Sequence, residues 1–115
     1  MPGGFQRDWW WVIGGRKKLL RDGTPGTAVI KNFEFMVGDG EASQADMTLE
    51  VRVDGREPYE LQGCFSYDGA AAAGRRAGTN LAGMTAPGSL VAVRVHPRKR
   101  KRVAIDWEHS PATVV

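Results

Sequence analysis

Met47, Leu49, Val51 and Val53 alternate with Thr48, Glu50 and Arg52. That is the pattern of a strand with one face in a core and the other in water. A second run, Thr27 to Val37, is rich in β-branched and aromatic residues and places Val29, Phe33 and Phe35 on one phase of the same two-residue period. Asp54-Gly55 supplies turn chemistry and Pro58 resists helix, so Tyr59 to Tyr67 is predicted to return antiparallel. Tyr59, Leu61, Phe65 and Tyr67 share its inner phase, with Gly63 as the expected bulge. Two further β-rich runs, Leu90 to Val95 and Val103 to Trp107, flank His96, Pro97 and five consecutive cations, which predicts a hairpin with a basic tip. The apolar phases together predict a shared interior containing Leu49, Val51, Phe65, Val93 and Ile105.

The remaining stretches read differently. Gly38 to Asp46 is a polar loop carrying three acids, and in a small barrel it is expected beside the basic tip. Between Asp68 and Pro87, Ala70 to Ala73 favours helix while four glycines oppose it, so a single short, imperfect helix is expected. Arg16 to Arg21 suits one or two helical turns ending at Asp22-Gly23, with Pro25 preventing continuation. The order β-β-β-α-β-β predicts an all-β fold with one short helix, closed into a small five-stranded OB-like β-barrel that hides its edges. Residues 1–23 form an aromatic and basic arm with a short helix, 24–107 the barrel and 108–115 a tail.

Charge changes this picture locally. Of the 115 residues, 16 are Lys or Arg and 13 are Asp or Glu, for a net charge of +3. Arg98, Lys99, Arg100, Lys101 and Arg102 contribute five of the positive charges, so the rest of the chain is slightly acidic. A local patch points to an oriented contact with an anionic partner, not to general polyanion affinity. A single cysteine excludes an internal disulfide, and no residue spacing suggests a metal, so no cofactor is expected. The apolar run Trp9 to Ile13 is far short of the roughly 20 residues needed to span a bilayer, and a cytoplasmic location is expected. Trp9, Trp10 and Trp11 stand close to Arg16, Lys17, Lys18 and Arg21. Such a block either folds back over the core or lies at an anionic membrane surface.

Five adjacent cations at a loop tip can displace counterions from nucleic acid. Against that reading, single-strand binders present stacking aromatics, whereas the phase opposite the core here carries Glu50 and Glu60. An acidic protein surface, another copy of the chain included, fits the tip better. Cys64 lies on the polar phase with Glu60, Gln62 and Ser66, and only His96 or His109 could serve it as a base. A strand cysteine packed under the connector or the arm is the expected outcome, not a nucleophile. No glycine-rich loop ends in the lysine and hydroxyl pair that a phosphate loop requires.

Two blocks, Arg16 to Ile30 and Gly88 to Asp106, resemble an uncharacterised bacterial family of small β-domains often found beside membrane-spanning segments. Its patterns are of the type G-x-P-x-x-A-x-V early and V-R-V-D-P followed by V-A-I-D late. The resemblance implies a compact β-domain and no catalytic residue. Two departures concern partner surfaces. His96-Pro97 and five cations stand where the family carries acids, and the Trp9 to Trp11 cluster stands where many relatives have a membrane span. The function expected is therefore a non-enzymatic interaction module, with nucleic-acid binding and peripheral membrane attachment as alternatives and no small-molecule substrate.

Overall fold

The computed structural model describes residues 16–35 and 44–111. Helix α1 covers residues 16–22, followed by strands β1 (Thr24–Phe35), β2 (Gln44–Arg52) and β3 (Tyr59–Ser66). Helices α2 (Ala70–Arg76) and α3 (Leu81–Thr85) precede β4 (Leu90–Val95) and β5 (Val103–Asp106), and a 3-10 turn covers Trp107–His109. The strands form one antiparallel, curled sheet in the order β3-β2-β1-β4-β5, so β3 and β5 are its two edges.

The alternation predicted for β2 holds throughout: Met47, Leu49, Val51 and Val53 are buried. Leu49, Val51, Phe65, Val93 and Ile105 all lie in one core cluster. In β1 the expected phase is only half right. Ala28 and Ile30, not Val29, enter the core, and Phe33 packs against it three residues later. The register explains the switch: Ile30 faces Leu49 but Asn32 faces Thr48, so Lys31 is an extra residue that flips the alternation. The bulge expected at Gly63 is therefore in β1 instead, since β3 runs opposite β2 without a slip from Tyr59 to Ser66.

β5 is buried along its whole length because both of its faces are covered. Val103 and Ile105 face the core, while Ala104 packs beneath Leu19 and Leu20 of α1. Helix α1 thus packs on the sheet, while the tryptophans of the same block lie outside the described residues. Gly23 turns α1 into β1: its N–H caps the Leu19 carbonyl at 2.8 Å, and a Cβ there would sit 2.6 Å from that oxygen.

The connector holds two helices where one was expected. Gly78, at φ +79°, turns the chain after α2, and the Asn80 side chain accepts the Gly83 N–H at 2.9 Å to start α3. The segment read as a tail from Glu108 also remains attached. Ser110 is buried, and its Oγ accepts the Ala92 N–H at 2.9 Å while donating to the Asp106 carbonyl at 2.8 Å. Those bonds continue the β4 edge just past its last ladder pair, Ala92 with Asp106. Among the described residues, no helix is long and apolar enough to cross a membrane.

Candidate functional site

The β4–β5 loop, residues 96–102, is tied down at several points although its cations face water. His96 is almost fully buried, and its Nδ1 accepts the backbone N–H groups of both Arg98 and Lys99 at 3.0 Å. Two donors at Nδ1 leave no room for a proton there, so the ring proton sits on Nε2. The His96 N–H donates to the Arg102 carbonyl at 2.9 Å and the Arg102 N–H to the Lys99 carbonyl at 2.8 Å, closing the loop on itself. Tyr59, at the start of β3, donates its hydroxyl proton to the Arg100 carbonyl, and the Arg100 guanidinium lies 5.2 Å from the Tyr59 ring centre. Partial burial holds the Tyr59 phenol above its ordinary pKa against the opposing pull of Arg100 and Arg56, so it remains a donor at neutral pH.

Replacing His96 with alanine is expected to orphan two backbone donors and cost about 1–3 kcal/mol. Amide exchange at Arg98 and Lys99 should quicken in step. Asparagine, whose Oδ1 can stand near the position of Nδ1, should restore most of the protection.

Arg98, Lys99, Arg100 and Lys101 are exposed and Arg102 is half-buried. The loop shares its end of the sheet with the Asp54-Gly55 turn, where the Arg56 N–H meets the Val53 carbonyl at 3.1 Å and Gly55 has φ +80°. The acidic segment expected beside it, 38–46, lies outside the described residues up to position 43. Phe35 and Gln44, which flank residues 36–43, belong to the opposite end, because the register sets Gln44 against Ser66 and Val51 against Tyr59.

From the loop a groove of about 380 Å³ runs along the open side of the sheet. Its floor is Phe65 and Leu61 of β3 with Val103 and Ile105 of β5, and its rim carries Gln44, Gln62, Cys64 and Ser66. Among the described residues, its charged lining consists of the cations Arg16, Lys101 and Arg102. Arg16 thereby joins the basic loop, although part of its guanidinium is engaged with the Ile105 carbonyl at 3.2 Å. The other arm cations do not converge there. Lys18 and Arg21 both pair with Asp22, at 2.7 and 3.3 Å, and Lys17 is exposed to solvent. Trp9, Trp10 and Trp11 lie outside the described residues.

Cys64 is exposed, not packed under the connector or the arm, and its thiol lies 3.2 Å from Gln44 Oε1. Neither histidine lines its groove. His96 has Nδ1 committed to backbone, and His109 pairs with Asp106 at 2.7 Å beside a different concavity. Among the described residues, no group of three or more His, Cys, Asp or Glu side chains could hold a metal ion. On the outward face, Glu50 is bridged by Arg52 at 3.0 Å and Lys31 at 3.7 Å, which offsets much of its charge. The outward positions of β2 and β3 offer no ring for a base to stack on: they are Gln44, Asp46, Thr48, Glu50 and Arg52, then Glu60, Gln62, Cys64 and Ser66.

In the sequence, His96 and Tyr59 are marked only by a His-Pro pair and by an aromatic after Pro58, both at strand ends. Comparison with known proteins gives no matching family model, curated protein or solved structure.

Proposed function

We propose that this protein is a non-enzymatic binding module that docks through loop 96–102 onto an acidic surface of a partner protein. The observation that carries this reading is the anchoring of the loop by His96 Nδ1 and the Tyr59 hydroxyl while the cationic side chains point to water. A hairpin tip whose charges serve only solubility has no need of buried anchors. A preorganised platform loses less conformational entropy when it meets a partner. The sheet order, with a helical connector before β4, suits an OB-type barrel left open between β3 and β5. In such barrels the loop between strands four and five is a ligand-holding element. The tryptophans at 9–11 belong to this proposal as a second anchor on the partner.

The test replaces Arg98, Lys99, Arg100, Lys101 and Arg102 together with serine. Arg98 to Lys101 are exposed and each change there should alter stability by roughly 0.5 kcal/mol or less, with a larger loss only at half-buried Arg102. Affinity for polyglutamate, followed by fluorescence anisotropy, should be lost, chiefly through slower association. A variant that binds as the parent does would leave the loop a solvated hairpin. Nucleic acid is the second reading, favoured by the cationic lining of the groove, and binding of a mixed-sequence oligonucleotide in place of polyglutamate would establish it.

A further inference from the structure

We infer that the acidic partner of loop 96–102 is a second copy of this chain, which offers Glu34 and Asp46 from the far end of its sheet. This rests on the proposed docking onto an acidic protein surface and names the molecule and the face that supply it.

Glu34 of β1 and Asp46 of β2 stand directly opposite each other in the ladder, so their side chains leave the same face, and both are exposed. Like charges placed in this way oppose the pairing of their strands. The outward positions around them carry no charge that could offset this: Cys64 stands beside Asp46, and Asn32, Thr48 and Gln62 form the next row toward the loop. Lys31 and Arg52, farther along the same face, are both turned to Glu50. Among the described residues, no cation comes within ion-pair distance of Glu34 or Asp46.

The basic loop of the same chain does not reach them. It follows Val95, which pairs with Thr24 at the start of β1, whereas Glu34 lies next to the last residue of that 12-residue strand. A strand rises about 3.3 Å per residue, so roughly 30 Å of β1 separates the two charges. That is several times the Debye length of about 8 Å at physiological salt, and neither end relieves the field of the other.

At the loop end the balance is reversed. Exposed Arg98, Arg100 and Lys101, with Arg56 of the neighbouring turn, outnumber Asp54 and Glu57 there. Each copy thus carries a cationic end and an anionic end, and the cations are held in place by the His96 and Tyr59 anchors. Contact between two different patches is head-to-tail, and it continues from copy to copy unless the rotation closes a ring. Exposed ion pairs are individually weak, so the contact depends on concentration and fades with salt.

Sedimentation velocity on the full chain at low ionic strength tests this. The mean mass of the wild type should rise with protein concentration and fall as salt is added. Two variants each remove one end: the five serines at Arg98 to Arg102, and Glu34→Lys combined with Asp46→Lys. Each alone should associate at least tenfold more weakly than the wild type. An equimolar mixture of the two should form a 1:1 dimer and nothing larger, because one chain keeps only its acidic face and the other only its loop. A general loss of stability would not give that recovery. If the lysine pair does not fold, Glu34→Gln with Asp46→Asn removes the charges without reversing them and takes its place. Affinity of the acidic-face variant for polyglutamate should be undiminished, since its loop is intact. Wild-type self-association by that variant, or a mixture that yields no dimer, would overturn the second copy. So would a wild type that stays monomeric while binding polyglutamate, and in that case the acidic partner stands. A wild type that neither self-associates nor binds polyglutamate would overturn both.

Discussion

Val51→Asp should abolish the cooperative thermal transition. Val51 is fully buried near the end of β2, between Ala28 of β1 and Tyr59 of β3 in the ladder, and belongs to the main core cluster. An isolated carboxylate at that position has no partner and must either lose hydration or take up a proton. Either cost runs to several kcal/mol, a large fraction of the roughly 5–15 kcal/mol that stabilises a typical domain. Loss of near-ultraviolet dichroism at 25 °C is the expected signature. A native-like spectrum and an unchanged melting temperature would mean that β2 has a different inner face.

The second large effect is expected at Trp107. Its side chain is 1% exposed, the bulkiest of the fully buried groups, and it joins the 3-10 turn to α2 and the end of β3. Arg76 fastens the same turn, donating to the Trp107 carbonyl at 2.7 Å and the Glu108 carbonyl at 3.0 Å. Trp107→Ala should cost about 3–5 kcal/mol from lost burial and the cavity left behind. The Ser66 carbonyl also loses its donor, for a further 1 kcal/mol or so. Trp107→Phe keeps most of the volume and should show mainly the smaller loss, so the two denaturation midpoints separate packing from the hydrogen bond. Similar midpoints for both variants would place the indole outside the core.

Strands with one wet face were legible because their alternation is written in side-chain chemistry. β2 and β4 follow it residue by residue, and the five core residues expected from it are all buried. What escaped the pattern has physical causes. A bulge adds one residue without changing composition, so Thr27 to Phe35 reads equally well in either phase until the register with β2 is known. The two connector helices depend on a positive φ at Gly78 and one side-chain cap at Asn80, where glycine content alone argued for a single weak helix. The site was legible as charge and illegible as geometry. Arg98 to Arg102 are adjacent in sequence, but Arg16 reaches their groove only because α1 folds back on β5. His96 and Tyr59 act on the loop through backbone atoms, which leave no mark in a side-chain pattern.

The basic loop lies at the start of β1, where Thr24 pairs with Val95. Its residues Arg98 to Lys101 are exposed there, and their field is available to another molecule.

The most direct measurement of that availability is the affinity of the wild-type protein for polyglutamate and for a mixed-sequence single-stranded oligonucleotide, each titrated across a range of salt concentrations. An acidic protein partner predicts that polyglutamate still binds near physiological salt, while oligonucleotide binding is already negligible there. Tight oligonucleotide binding, falling with salt by a slope of about 0.7 per phosphate neutralised on the single strand and matched by no affinity for polyglutamate, would contradict it.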